Sequence, residues 1–416
     1  MRALVPIVVA LFLVTFASAA ANAGSAQRTG PEFRQERTWN FEQATIPGAQ
    51  SRGNWGDGVT VAVIDTWVDF AHPDLKGRIA GHALCIDSAS GCRDRAYDRD
   101  SCIHGTHVAG TVVSGRYGVA PDAQVYPVQV LAYDRASDAC TGSSEDVARG
   151  IRFAVAKGVD VINLSLGTLV PGVFSSDAVT AAVDAAARAG VVVVFAAGNN
   201  TVPISEDYGS DALLVAATGP DGDIASYSSR GGSVSLAAPG GDDGAAGLTQ
   251  CGSQTCIRST VPDGSYALLE GTSMAAPHVS GTAALLLSQI PDRGREDVVR
   301  SLQSTARPLA GTRHGLIDAA AALGLRKGTS SPRTTAGSGP SNEPGLSTRQ
   351  RTRQPRPSQH AGAPETGSGP HADPVSSRSV TFPRESGVHR GERETSPRAT
   401  DKTKPGPLTS DLRTCR

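Results

Sequence analysis

The 416-residue chain is poor in aromatic residues (5%) and has only two methionines. Neither sign of charge is in excess, with 39 Lys and Arg against 40 Asp and Glu. That balance argues against nucleic acid or an anionic membrane as the main partner. There is no C-x-x-C, so the usual signature of a zinc site or a thioredoxin-like redox centre is missing. No G-x-G-x-x-G follows a strand-like run, which leaves a dinucleotide fold without support. G-x-S-x-G is absent as well, and with it the nucleophile turn of α/β-hydrolase esterases and lipases. Beyond the N-terminus no run is apolar enough to span a bilayer. Hydrophobic residues make up 39% of the chain, slightly low for a globular protein, so part of it is expected not to fold.

What is present begins with an export signal. Arg2 precedes an apolar run from Ala3 to Ala17, followed by Ala17-Ser18-Ala19 and Ala21-Asn22-Ala23. This pattern predicts a secretory signal peptide over 1–23, no stable membrane insertion after its removal, and a secreted, extracellular protein. A short extension, 24–37, follows. Export permits disulfides. Six of the seven cysteines lie in the part expected to fold, and six cysteines allow 15 pairings. Short loops favour Cys85–Cys92 and Cys251–Cys256, leaving Cys102–Cys140, with Cys415 over. The last segment, 326–416, is rich in Pro, Ser, Thr, Gly and Arg, with 16 Lys and Arg against 8 Asp and Glu. It lacks the aliphatic residues to offset its ordering entropy and is expected to be a disordered tail. It reads either as a basic tether to an acidic polymer or, since no repeat organises it, as an extension without a function.

Between these ends, strand-like and helix-like runs alternate. GVTVAVIDT (58–66), VYPVQVL (125–131), VDVINLSLG (159–167), VVVVFAAGN (191–199), LLVAAT (213–218) and VSLAAPG (234–240) read as strands, although Pro127 sits awkwardly in its run. HGTHVAGTVV (104–113) suits a short helix, and SSEDVARGIRFAVAKG (143–158) has a Ser cap, early acids and a closing Gly. SSDAVTAAVDAAARAG (175–190) repeats that pattern, and REDVVRSLQSTA (295–306) is a further helix. Alternation with continuous apolar strands predicts an α/β fold: three layers, a mostly parallel sheet with helices on both faces. Sites in such sheets form at the carboxyl edges of strands, where Asp65 and Asn199 both fall.

The stretch GTSMAAPHVSG (271–281) opens a run of small apolar residues. A serine at a helix start sits among free N–H groups at the positive end of the dipole, as acyl transfer requires. A proline in the first turn costs little there, because early N–H groups have no partner. Alone, G-T-S is more simply an N-capping serine. A serine nucleophile needs a base, and the base an orienting acid. HGTHVAG offers His104 and His107 on one helical face, VAVIDT offers Asp65, and AAGN offers Asn199 as an amide donor.

Taken together, VAVIDT, HGTHVAG, AAGN and GTSMAAPHVSG match, in order, the four blocks of the subtilisin-like serine proteases. The chain resembles this subtilase family from about Thr38 to Leu325. The order Asp, His, Ser belongs to that family. The resemblance implies a secreted serine endopeptidase in which Asp65 is the acid, His104 the base, Ser273 the nucleophile and Asn199 the oxyanion donor. Spacing alone does not choose His104 over His107. The resemblance also implies that Ser165, Leu166 and Gly167 pair with the backbone of a polypeptide substrate. No cofactor is implied, and a monomer is expected.

Three features depart from the family pattern. Trp67 stands where a small residue usually follows Asp-Thr, which opens a second reading: a catalytically silent binding protein with its cleft obstructed. Only Thr111–Tyr117 lies between HGTHVAG and GVAP, too short for the family's tight calcium site, although a weak structural calcium ion stays compatible. Too few residues separate the signal from Thr38 for an autoinhibitory prodomain, an organisation similar to the mycosin branch but without its membrane helix. Glu206 and Asp207, after AAGN, are placed to favour basic residues in the first pocket.

Overall fold

The computed structural model describes residues 38–53, 55–86, 91–136, 138–166, 177–201, 212–243, 251–290, 293–325 and 379–383. The expected signal peptide, the N-terminal extension, Gly167, Glu206, Asp207, Cys415 and the rest of the tail lie outside them. The domain opens with two short helices, α1 (Trp39–Gln43) and α2 (Ile46–Gln50), before the first sheet strand, β1 (Thr60–Asp65). Then come β2 (Ala83–Leu84), β3 (Arg93–Asp94), α3 (His104–Val113), β4 (Gln124–Gln129), β5 (Ala132–Asp134), β6 (Ala139–Ser143) and α4 (Ser144–Ala156). The middle of the domain is β7 (Val161–Leu164), α5 (Asp177–Arg188), β8 (Val192–Ala196), β9 (Ala212–Thr218) and β10 (Leu236–Pro239). A hairpin that the sequence reading did not anticipate, β11 (Ile257–Val261) and β12 (Ser265–Leu269), leads into α6 (Thr272–Gln289). The domain ends with α7 (Arg295–Ser304), β13 (Gly315–Leu316) and α8 (Ala319–Ala322). Within the C-terminal segment, β14 (Ser379–Pro383) forms a further strand.

Nine strands form the central sheet in the order β13-β10-β9-β8-β7-β1-β4-β2-β3, with only the β2–β3 pair antiparallel. The expected three-layer α/β architecture is therefore what forms. The chain leaves β1 toward β4 on one side and returns to β7 on the other, so β1 lies at the point where strand order reverses, the favoured place for a site.

Strand periodicity decides which face each β1 residue serves. Val61 and Val63 join the core that includes Val108 of α3 and Val279 of α6. Ala62 and Ile64 join the opposite core, with Val147 of α4 and Val183 of α5. Asp65, next in the odd series, continues the face of α3 and α6. On β7, Ile162 and Leu164 belong to the α4–α5 core. Asn163 on the same strand accepts from Ser280 Oγ of α6 at 2.8 Å.

α6 is enclosed by the fold, with every residue buried except Leu287 and Gln289. Its Ala, Gly and Ser residues allow this: a Cβ at Gly281 would stand 2.6 Å from Val119 Cβ. Pro127 is accommodated inside β4 for a local reason. Val125, on the same side of the strand, bonds Arg78 and Ala80 through both its backbone groups. The missing N–H of Pro127 therefore faces the side of the short strand β2, between the Ile79–Val125 bridge and the Ala83–Val128 pair, where no partner is bonded to it. All three expected disulfides, Cys85–Cys92, Cys102–Cys140 and Cys251–Cys256, are formed. No described helix is long and apolar enough to cross a membrane.

Candidate active site

Asp65 ends β1 fully buried, so its carboxylate needs donors. It takes the Thr66 N–H at 2.7 Å and His104 Nδ1 at 2.8 Å. His104 is the first residue of α3. Because a carboxylate only accepts, Nδ1 of His104 must donate, which leaves Nε2 of the neutral ring as an acceptor. The first turn of α3 lies directly on the turn after β1. A Cβ at Gly105 would stand 2.6 Å from Thr66 O and 2.8 Å from Trp67 O, so only glycine permits this approach. The Gly105 N–H donates to Thr66 Oγ1 at 2.8 Å.

The second half of the site is the start of α6. Gly271 is its N-cap with φ 150°, and Ser273 is the second helical residue. Ser273 is thus not the N-cap that a lone G-T-S suggested. Pro277 is the sixth residue, not a first-turn one, and its N–H would normally bond the Ser273 carbonyl. Its absence frees that carbonyl, which accepts from Ser165 Oγ at 2.8 Å. Ser165 Oγ in turn takes Asn163 Nδ2 at 2.9 Å. The Ser273 hydroxyl donates to Ser165 O at 3.2 Å, and its side chain lies in a residue that is 5% exposed. Leu166 is buried beside it in sequence.

Asn199 is oriented by Thr272, a residue whose part was not read from the sequence. The Thr272 N–H (3.0 Å) and Oγ1 (2.8 Å) both meet Asn199 Oδ1. An N–H can only donate, so the atom it meets is the oxygen, and Nδ2 must point elsewhere. It points past Gly271, where an added Cβ would lie 3.3 Å from Asn199 Nδ2 and 3.6 Å from Ser273 N. Thr272 Oγ1 also accepts the Gly198 N–H at 3.0 Å.

α3 and α6 pack against each other on one face of the sheet, so the Asp65–His104 pair and the Ser273–Asn199 cluster share that face. At each helix start one N–H is bonded to a neighbouring side chain, Gly105 N–H to Thr66 Oγ1 and Thr272 N–H to Asn199 Oδ1. The other two histidines of these helices are buried and differently engaged. His107 Nε2 meets Ile257 O at 3.1 Å. His278 meets Met274 O through Nδ1 and Asn40 Nδ2 through Nε2, both at 2.8 Å. Trp67 is 3% exposed and lies beneath the Arg99 guanidinium, 5.0 Å from its ring centre. A cavity of about 510 Å³ lies elsewhere, between α1 and Arg307.

This geometry can be set beside known proteins. The model of the subtilase family, Peptidase S8, matches residues 56–347. The chain belongs to the subtilase family. It is a serine-type endopeptidase related to subtilisin E of Bacillus subtilis (strain 168), 37% identical over 306 residues, 70% of this chain and 72% of that one. Subtilisin Savinase of Lederbergia lenta is 36% identical over 299 residues, covering 69% of this subtilase and 99% of the relative. Among solved structures, the proteases from Pseudoalteromonas arctica PAMC 21717 superpose with a TM-score of 0.61 at 30% identity, covering 70% of this subtilase and 99% of that chain.

Proposed function

We propose that this subtilase is a secreted endopeptidase in which Ser273 attacks the peptide carbonyl, His104 is the base and Asp65 holds the base. The observation that carries this reading is the 2.8 Å bond from His104 Nδ1 to a fully buried Asp65, on the face where the Ser273 helix begins. The Ser273 hydroxyl leaves Ser165 O and gives its proton to His104 Nε2 as Oγ bonds to the carbonyl carbon. Asp65 stabilises the imidazolium so formed and does not itself take the proton. Negative charge develops on the carbonyl oxygen, where Asn199 Nδ2 and the Ser273 N–H donate to it. His104 then protonates the leaving amine, and water hydrolyses the acyl-enzyme by the same steps in reverse. Ser165, Leu166 and Gly167 supply backbone pairing to the substrate, which orients its scissile bond. None of these steps requires a cofactor. Secretion rests on the N-terminal signal pattern and on three disulfides, which persist outside a reducing cytosol.

Casein hydrolysis by the secreted protein and by Ser273→Ala tests the assignment, alongside labelling with a fluorophosphonate. The natural chain is expected to hydrolyse casein and to be tagged at Ser273. The variant should lose both, by about 10⁶-fold in kcat when the nucleophile of such a triad is removed. Hydrolysis that persists in the variant overturns the assignment.

A further inference from the structure

The small sheet beside the site contains a segment of the chain that the catalytic reading leaves unexplained. Its order is β14-β6-β5, with β6 antiparallel to both neighbours. β5 and β6 lie close together in sequence, but β14 comes from the C-terminal segment. Residues 326–378, 53 in number, separate it from the end of the domain at Leu325. At about 3.3 Å per residue their contour approaches roughly 170 Å, ample to reach any point on the domain.

β6 lies against the machinery itself. Cys140, within β6, is bonded to Cys102, two residues before His104. Gly142 packs so tightly on Val130 and Leu131 that a Cβ would stand 2.9 Å from Leu131 Cδ2 and closer still to Val130 O. Val130 and Leu131 both donate their N–H groups to Asp65 O, at 2.9 and 3.3 Å. β6 itself is therefore tied to the segments that carry Asp65 and His104, and a chain on its outer edge is held by a strand fixed to them. Edge pairing of this kind is how a polypeptide substrate is held by its main chain.

β14 occupies that edge. Its register pairs Ser379 with Ser143, Val380 with Gly142, Thr381 with Thr141, Phe382 with Cys140 and Pro383 with Ala139. Its N-terminal end lies at the start of α4 and its C-terminal end at the Cys102–Cys140 side, toward His104.

We propose that Ser379–Pro383 is an intramolecular occupant of the substrate edge of β6, so that this subtilase restrains its own cleft with its C-terminal segment. The proposal rests on the reading that polypeptide is cleaved beside His104. Occupation in cis sets a high effective concentration of the segment, against which an external peptide must compete.

The test uses full-length Ser273→Ala, which cannot trim its own tail, and the same chain carrying Val380→Pro and Thr381→Pro. Adjacent prolines remove a ladder N–H whichever way the strand faces, and leave the domain untouched. The probe is a fluorescein-labelled peptide of residues 379–385, followed by fluorescence anisotropy. The proline chain is expected to bind it about tenfold or more tightly than its parent, with both chains unfolding at the same temperature. Equal affinities overturn the proposal, and so does a failure of both chains to bind. A difference that disappears on dilution of the protein identifies a second copy as the occupant and also overturns it. None of these results depends on hydrolysis, so they stand apart from the casein assay.

Discussion

Thr272 contributes through another residue. Its hydroxyl donates to Asn199 Oδ1 at 2.8 Å and accepts the Gly198 N–H at 3.0 Å, so it holds the amide in the orientation that leaves Nδ2 on the side of Gly271 and Ser273. Thr272→Val keeps the volume and removes both bonds. We expect kcat to fall about tenfold with KM little changed, a fraction of the 10²–10³ expected when an oxyanion donor is lost outright. Thr272→Ser should restore the rate. A parallel rise in KM, or no rescue by serine, would show a merely structural role. In the sequence Thr272 was visible inside G-T-S, but nothing in that triplet tells a threonine that aims a distant asparagine from one that only favours a turn. The same limit hid Thr66, whose hydroxyl takes the Gly105 N–H. Such roles depend on which strands end side by side, and that is settled only by tertiary contact.

At the scale of elements, α3 is fastened from two sides. On one, Ser259 and Thr260 of β11 donate to the carbonyls of His107 and Thr106, both at 2.8 Å. On the other, Cys102 just before the helix is joined to Cys140 in β6, closing a loop of 38 residues in sequence separation. Cys251–Cys256 spans only 5. In the chain-entropy account, the longer loop contributes about 4 kcal/mol and the shorter about 2 kcal/mol. Cys102→Ala with Cys140→Ala is therefore expected to lower the unfolding midpoint about twice as far as Cys251→Ala with Cys256→Ala, measured by calorimetry on both. The reverse order would show that native contacts around the short loop outweigh closure entropy. Helices α3 and α4 were legible in the sequence from their periodicity and from the Ser143 cap, whose Oγ accepts the Asp146 N–H at 3.1 Å. The place of Pro277 was not, because where α6 begins depends on Gly271 and not on the serine. The β14 pairing was not legible either, since Ser379–Pro383 stands alone in a segment otherwise unable to build a core.

For the molecule as a whole, two buried histidines tie stability to pH. Burial, reinforced by the charge of His104, holds His107 down to about 3, well below the ordinary 6.5. Burial likewise holds His278 down to about 4, against an opposing bond to Met274. The partners of His278 fit the neutral ring: Nδ1–H donates to Met274 O while Nε2 accepts from Asn40, so a second ring proton would face a donor. Between 6.5 and these lowered values the unfolded chain binds protons that the folded chain does not. Their contribution is therefore complete above about pH 6.5 and is lost as pH falls toward 4 and then 3. With both groups the slope reaches about 2.7 kcal/mol per pH unit. Urea midpoints taken from pH 7 to 4.5 should fall accordingly, and less steeply in His107→Gln. A level midpoint across that range rules the account out. The mostly parallel sheet followed from alternating runs, whereas the reversal of strand order at β1 did not, because it depends on which strands pair. Alternation along β1 puts Asp65 on the same side as Val61 and Val63, but that this side is the one covered by α3 and α6 is settled only by the packing.

The enclosure of α6 has a last consequence. The helix that presents Ser273 is also the central beam of the domain, with Leu287 and Gln289 alone reaching its outer surface. A side chain mounted on such a beam does not shift with the helix unless its surroundings shift too. Any displacement of Ser273 that moves this helix must also part the layers around it, so a shift of that kind is bound up with the integrity of the fold.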